Sequence, residues 1–212
     1  MRLGIFGGTF DPVHYGHLLL AESCREQLDL EAVWFLPAAL PPHKLGRELT
    51  PAETRVEMLE LAVGGLADFA VCRYEADRGG VNYTVDTLRA LKQQDASRDL
   101  FFLMGADSLR DLPTWKEPAT ICQLATLVVV ERALDGGTLQ PEGCDLAGLE
   151  GNLTPEQLDA LRSHRVGMPR IDLSSSDIRR RVAEGRSIRY RTPRAVEKYI
   201  ETHGLYRDSS GV

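Results

Sequence analysis

The sequence predicts an α/β fold: an open sheet of parallel strands with helices packed on both faces. Three observations carry this. Short, continuous apolar runs recur at residues 3–6, 32–36, 100–104 and 126–130, as strands buried on both sides require. Segments with helical spacing or helix-start chemistry stand between them, which implies parallel strands joined by right-handed crossovers. The length of 212 residues is enough for one well-buried domain with a modest insertion.

Taken in order, residues 3–6 end at Gly7-Gly8 and read as a strand entering a tight loop. A helical pattern follows through His17, Leu18, Ala21, Cys24 and Leu28. Residues 32–36 form a second strand closed by Pro37. The next stretch, to residue 49, carries Pro41-Pro42 without periodicity and reads as a long loop able to act as a lid. Thr50-Pro51-Ala52-Glu53 opens a helix, with Thr50 as N-cap, Pro51 in the first helical position and Glu53 closing a capping box. Residues 69–73 form a weaker strand, and Thr84 caps a helix through Val85, Leu88 and Leu91. Thr154-Pro155-Glu156-Gln157 repeats the capping pattern, as does Thr192-Pro193 before a last helix that Gly204 terminates. Residues 1–206 read as one domain, with 133–151 an exposed insertion and 207–212 a frayed tail. Ligands of such sheets sit beyond the carboxyl ends of the strands, so chemistry is expected in the loops after Phe6, Leu36, Met104 and Val130.

The formal net charge of −6 argues against a partner that is nucleic acid or an anionic membrane, since polyanions need broad positive surfaces. A small anionic substrate needs only a local cluster of donors. Arg179, Arg180, Arg181, Arg186, Arg189 and Arg191 concentrate near the C-terminus, and most are expected on a solvated face. Cys24, Cys72, Cys122 and Cys144 lack zinc-ligand spacing and are expected as reduced thiols. With no leader pattern and no membrane-length apolar run, a cytoplasmic protein is expected; a homo-oligomer is compatible with the sequence.

Two constellations carry chemistry. The first is Gly7-Gly8-Thr9-Phe10-Asp11-Pro12-Val13-His14-Tyr15-Gly16-His17, at a strand end running into a helix, where backbone N–H groups face an anion. Gly7 and Gly8 admit phosphate oxygens close to the backbone. His14 and His17, three apart, share a face if the segment is helical, and Gly16 leaves room for a ligand. A metal held by the two histidines would need a third ligand, and none is evident; no metal site is assigned. The second is Ser174-Ser175-Ser176-Asp177-Ile178-Arg179. Ser174 or Ser175 can cap a helix whose first turn adds hydroxyls and the Arg179 guanidinium to its free N–H groups. Either constellation alone is commonplace; their value depends on meeting in space.

Together they resemble the nucleotidyltransferases with an HxGH signature, and most of all the bacterial nicotinate-nucleotide adenylyltransferases. Further matches are Pro41-Pro42-His43-Lys44, Arg55-Val56-Glu57-Met58-Leu59, Tyr83-Thr84, Gly105-Ala106-Asp107-Ser108, Pro113-Thr114-Trp115 and Gly204-Leu205-Tyr206. Ser176 stands where Thr is usual, Asn82 where Ser is common, and Lys116 where an aromatic often follows Trp. The resemblance implies a Rossmann-like open sheet with a small C-terminal helical part. It also implies adenylyl transfer from ATP, carrying Mg²⁺, to nicotinate mononucleotide.

On that reading His14, His17 and Arg179 are catalytic. Gly7, Gly8, Thr9, Phe10, Gly105, Asp107, Arg132, Ser175 and Ser176 bind ATP, with Asp107 at the ribose. Lys44, Arg55, Tyr83, Thr84 and Trp115 bind the acceptor. Lys44 and Arg55 would meet its phosphate, Trp115 its cationic pyridine ring, and the N-terminus of the helix at Thr84 its carboxylate. The rivals are a sister transferase acting on phosphopantetheine or a cytidylyl donor, a fragment of a class I aminoacyl-tRNA synthetase, and a non-catalytic nucleotide sensor. Tyr83-Thr84 and Pro113-Thr114-Trp115 speak against the first, acidity and the lack of a lysine-rich signature against the second, and retention of both histidines and Arg179 against the third.

Overall fold

The computed structural model describes residues 1–40, 49–132, 151 and 153–207. Lys44, most of the 37–49 loop, residues 133–150 of the expected insertion, Cys144 and residues 208–212 lie outside the described residues. Among the described residues six strands form one sheet: β1 (Arg2–Gly8), β2 (Ala32–Pro37), β3 (Phe69–Val71), β4 (Asp99–Gly105), β5 (Thr126–Arg132) and β6 (Arg165–Met168). Their spatial order is β3-β2-β1-β4-β5-β6, and every pairing is parallel. The order reverses between β1 and β4, which opens a crevice at the carboxyl ends of those two strands.

The helices are α1 (Tyr15–Gln27), α2 (Ala52–Val63), α3 (Tyr74–Arg78), α4 (Thr84–Gln94), α5 (Ala106–Asp111), α6 (Pro118–Leu124), α7 (Pro155–Ser163), α8 (Ser175–Ala183) and α9 (Arg194–His203). Alternation along the strands divides the core in two. Leu3, Ile5, Leu100, Phe102, Met104, Leu127 and Val129 pack with Val85, Leu88 and Leu91 of α4 and with Leu158 and Leu161 of α7. Phe6, Val33, Phe35, Phe101, Leu103, Val128 and Val130 pack with Ala21 and Cys24 of α1, Met58 and Leu59 of α2, Ile178 of α8 and Val196 and Ile200 of α9. Both faces are covered, which explains the unbroken apolar runs.

Several local readings shift. β6, α3, α5 and α6 were not anticipated as separate elements. Thr154 and Gln157 form the expected capping box, and Gly204 closes α9 with φ 61°. At α2, α4 and α9, however, the N-cap positions are Pro51, Tyr83 and Pro193, one residue later than expected in α2 and α9 and one earlier in α4, and none accepts a side-chain cap bond. Glu53 instead pairs with Arg73 at 2.6 Å. Among the described residues no helix is long and apolar enough to cross a membrane.

Because Leu88 is fully buried between α4 and the sheet, Leu88→Ala is expected to lower unfolding free energy by about 2–5 kcal/mol. Leu66→Ala, at an exposed site, should stay within about 0.5 kcal/mol. Urea unfolding checks both, and a Leu88 effect as small as that of Leu66 would contradict the packing described.

Candidate active site

The β1–α1 connection lies at the crevice. β1 pairs with β4 up to Phe6↔Leu103, and two residues beyond that pair stand Gly8 on one strand and Gly105 on the other. After Gly8 the chain turns through Phe10, a non-glycine residue with φ 50°. That conformation is held because the Phe10 ring is 1% exposed, packed edge-on against Phe6 at 5.3 Å, Phe35 at 5.7 Å and His17 at 5.0 Å. A Cβ at Gly8 would lie 2.7 Å from the Phe10 ring, so this turn demands glycine. The ring of Phe10 is therefore a floor under the loop, and a ligand contact from this residue comes from its backbone.

His14 is the N-cap of α1, with extended backbone, rather than a helical residue sharing a face with His17. The two imidazoles stack, centroids 3.7 Å apart and planes 19° from parallel. The His14 backbone N–H donates to His17 Nδ1 at 3.2 Å, which fixes the His17 ring. A Cβ on Gly16 would lie 3.0 Å from His14 Cε1 and Nδ1, so Gly16 makes room for a neighbouring imidazole. His14 is buried, and its Nδ1 has no hydrogen-bond partner among the described residues. Burial pushes its pKa down to about 4, leaving the ring neutral at pH 7.

The second constellation docks on this loop. Ser174 caps α8, accepting from the Asp177 N–H at 3.1 Å. Ser175 Oγ donates to the Pro12 carbonyl at 2.8 Å, and Arg179 Nη1 donates to the Asp11 carbonyl. Arg179 Nη2 also donates to Ser176 Oγ at 3.3 Å. Two further donors complete a row: Thr192 Oγ1 to the Val13 carbonyl at 2.7 Å and Arg55 Nη1 to the Thr9 carbonyl at 2.7 Å. The first-loop histidines and the late Ser-Arg motif are thus brought together, as expected from sequence.

Arg55 is a correction. It was expected at the acceptor phosphate, yet it is fully buried, and its other nitrogens donate to the carbonyls of Thr50 and Ala39, each at 2.9 Å. It ties loops together and does not reach solvent. Sequence reasoning also passed over Asp11, Thr192 and Tyr206. Asp11 is 3% exposed, and its carboxylate accepts from Tyr206 Oη at 2.6 Å and the Thr50 N–H at 3.4 Å. The sequence signals for Asp11 and Tyr206 are their places in the motifs at residues 7–17 and 204–206, and Thr192 reads there as an ordinary cap.

A second group gathers on the α4 side of the crevice. Tyr83 is exposed, and Lys116 Nζ stands 4.9 Å above its ring while bonding Asp86 of α4 at 2.9 Å. Thr84 is the first residue of α4. Trp115, half-buried, meets Phe102 edge-on at 5.9 Å. Gly105 is the N-cap of α5, and Asp107, exposed in the first turn, pairs with Arg110. Arg132 ends β5 opposite Met168; its side chain lies outside the described residues.

Comparisons with known proteins place the chain in a family. The family model described as "Cytidylyltransferase-like" matches residues 5–181. A protein of Thermomicrobium roseum named "Probable nicotinate-nucleotide adenylyltransferase" is 49% identical over 97% of this chain and 92% of its own length. One of the same name from Thermus thermophilus is 46% identical over 98% of this chain and 100% of its own. Among solved structures, Plasmodium falciparum nicotinic acid mononucleotide adenylyltransferase complexed with NaAD superposes with a TM-score of 0.73, covering 97% of each chain at 17% identity, a likeness of fold. The chain therefore belongs to the cytidylyltransferase-like family, and within it to the nicotinate-nucleotide adenylyltransferases.

Proposed function

We propose that this chain transfers the adenylyl group of ATP to nicotinate mononucleotide, giving nicotinate adenine dinucleotide and pyrophosphate. The observation that carries this is the stacked His14–His17 pair at the start of α1, on the same loop that Arg179 and Ser175 grip through the Asp11 and Pro12 carbonyls. Imidazole, hydroxyl and guanidinium donors converge beside glycines at a strand end, which is the chemistry a triphosphate needs.

The step is an in-line attack by a phosphate oxygen of the acceptor on the α-phosphorus, with pyrophosphate leaving. A phosphate monoester loses its second proton near ~6, so the nucleophile is already anionic at neutral pH and no general base is needed. The protein aligns the two phosphates and stabilises charge on the departing pyrophosphate. His14 and His17 serve as hydrogen-bond donors to the ATP phosphates; the stacking of the two rings, which places them side by side, supports that role. Arg179 and the Ser175-Ser176 start of α8 hold the outer phosphates, and Gly105 with Asp107 flanks the ribose. Mg²⁺ enters as part of the substrate, Mg-ATP. For the acceptor, the Trp115 face suits a cationic pyridine, and the N–H groups at the start of α4 suit its carboxylate. A cytoplasmic setting follows from the same reading.

His17→Ala is expected to lower kcat by about two orders of magnitude or more with the fold intact; near-normal pyrophosphate release would remove His17 from the mechanism. Trp115→Ala should chiefly raise KM for the acceptor, and kcat/KM for nicotinate mononucleotide should exceed that for its amide analogue. Equal values for acid and amide would defeat the carboxylate argument. The depressed pKa of His14 has a stability consequence. The unfolded ring titrates near 6.5 and the folded one near 4, so stability is complete above about pH 6.5 and is lost as pH falls toward 4. By pH 5 the loss from this group is on the order of 2 kcal/mol. Urea unfolding between pH 7 and 5 should show a shallower decline for His14→Gln, and identical declines would refute the assignment.

A further inference from the structure

Asp11 is the point where the active-site loop meets the rest of the chain. Its carbonyl accepts from Arg179 of α8, and its carboxylate accepts from the Thr50 N–H ahead of α2 and from Tyr206 beyond α9. The Tyr206 bond is the shortest of the carboxylate's two, 2.6 Å, and joins residues 195 apart in sequence. Tyr206 is not loosely placed. Gly204 ends α9 in the left-handed region, Tyr206 itself has φ 61°, and Leu205 and Tyr206 both pack against the core cluster under α1 and α2.

The buried carboxylate also has an electrostatic task. Arg55 is fully buried with its nitrogens on main-chain carbonyls, so its charge is balanced by proximity to Asp11 and not by a direct ion pair. Whichever way the Asp11 carboxylate turns, it acts on the loop from Thr9 to His14. A hydroxyl donor fixed to one oxygen removes that freedom.

We infer that Tyr206 is a positioning residue for adenylyl transfer: its hydroxyl locks the Asp11 carboxylate, and through it the backbone that presents His14 and His17. This rests on the function proposed above and adds to it a residue at the far end of the chain that touches no substrate. Arg179 and Ser175 hold the loop by its carbonyls, and Tyr206 holds it by its single buried acid.

The test uses the full chain with Tyr206→Phe, which keeps the ring and removes the hydroxyl. Steady-state rates with Mg-ATP and nicotinate mononucleotide, the thermal midpoint, and amide hydrogen exchange across residues 9–14 are measured. A lost hydrogen bond to a charged group corresponds to a kcat drop of roughly tenfold, with the acceptor KM little changed and faster exchange in the loop. In an Asp11→Asn background the same substitution should add almost nothing, because the shared interaction is already gone. Leu205→Ala serves as control: it loosens the same tail without touching Asp11, and should lower the midpoint with kcat retained. An unchanged kcat in Tyr206→Phe, an equal loss in Leu205→Ala, or the same factor lost again beside Asp11→Asn would each overturn the inference. If the wild-type chain releases no pyrophosphate, the proposed function fails by itself. Hydrogen exchange then decides alone, and unaltered exchange across residues 9–14 in Tyr206→Phe overturns the positioning role.

Discussion

Much of this structure follows from the need to satisfy four carbonyl oxygens in a loop that can be neither helix nor strand. Between the end of β1 and the start of α1 the chain must turn sharply, and buried main-chain acceptors without partners are expensive. Thr9, Asp11, Pro12 and Val13 each receive one side-chain donor, from Arg55, Arg179, Ser175 and Thr192. Those donors come from α2, from α8 and from the segment before α9, so the loop is also the place where the second half of the molecule is fastened to the first strand. Below it, the Phe10 ring fills the space that Gly8 leaves vacant.

The sheet supplies the location. With β1 flanked by β2 and β4, the connections after β1 and β4 leave in opposite directions, and the gap between them is where a nucleotide can lie across the strand ends. The histidine-bearing loop and α8 gather on the side of the core that includes Phe6 and Val130, and Trp115 and Tyr83 on the α4 side.

The strands were legible because burial on both faces leaves a plain mark, an apolar run of four or five residues. β6 was not, because Arg165-Val166-Gly167-Met168 at the sheet edge lacks that mark, although Val166 and Met168 do face the core. Helix starts show a sharper lesson. Of the four threonines that the sequence marks as caps, only Thr154, exposed and without a tertiary competitor, forms the capping box its sequence suggests. Thr192 turns its hydroxyl to the Val13 carbonyl instead, and the main chain of Thr50 serves Arg55 and Asp11. A local pattern is obeyed where nothing else claims the group. For the same reason Arg55 looked like a ligand-binding cation: sequence shows a charge, and only packing shows that its donors are already taken by three carbonyls.

The bonds between the first loop and the C-terminal region span 163, 168, 179 and 195 residues. The loop that leads to the histidines is therefore translated well before α8, Thr192 and Tyr206, which brace it. A nascent chain halted before α8 would carry both imidazoles and lack three of the four side-chain donors to that loop's carbonyls. The Asp11, Pro12 and Val13 carbonyls thus wait for their side-chain donors until segments more than 160 residues downstream have emerged.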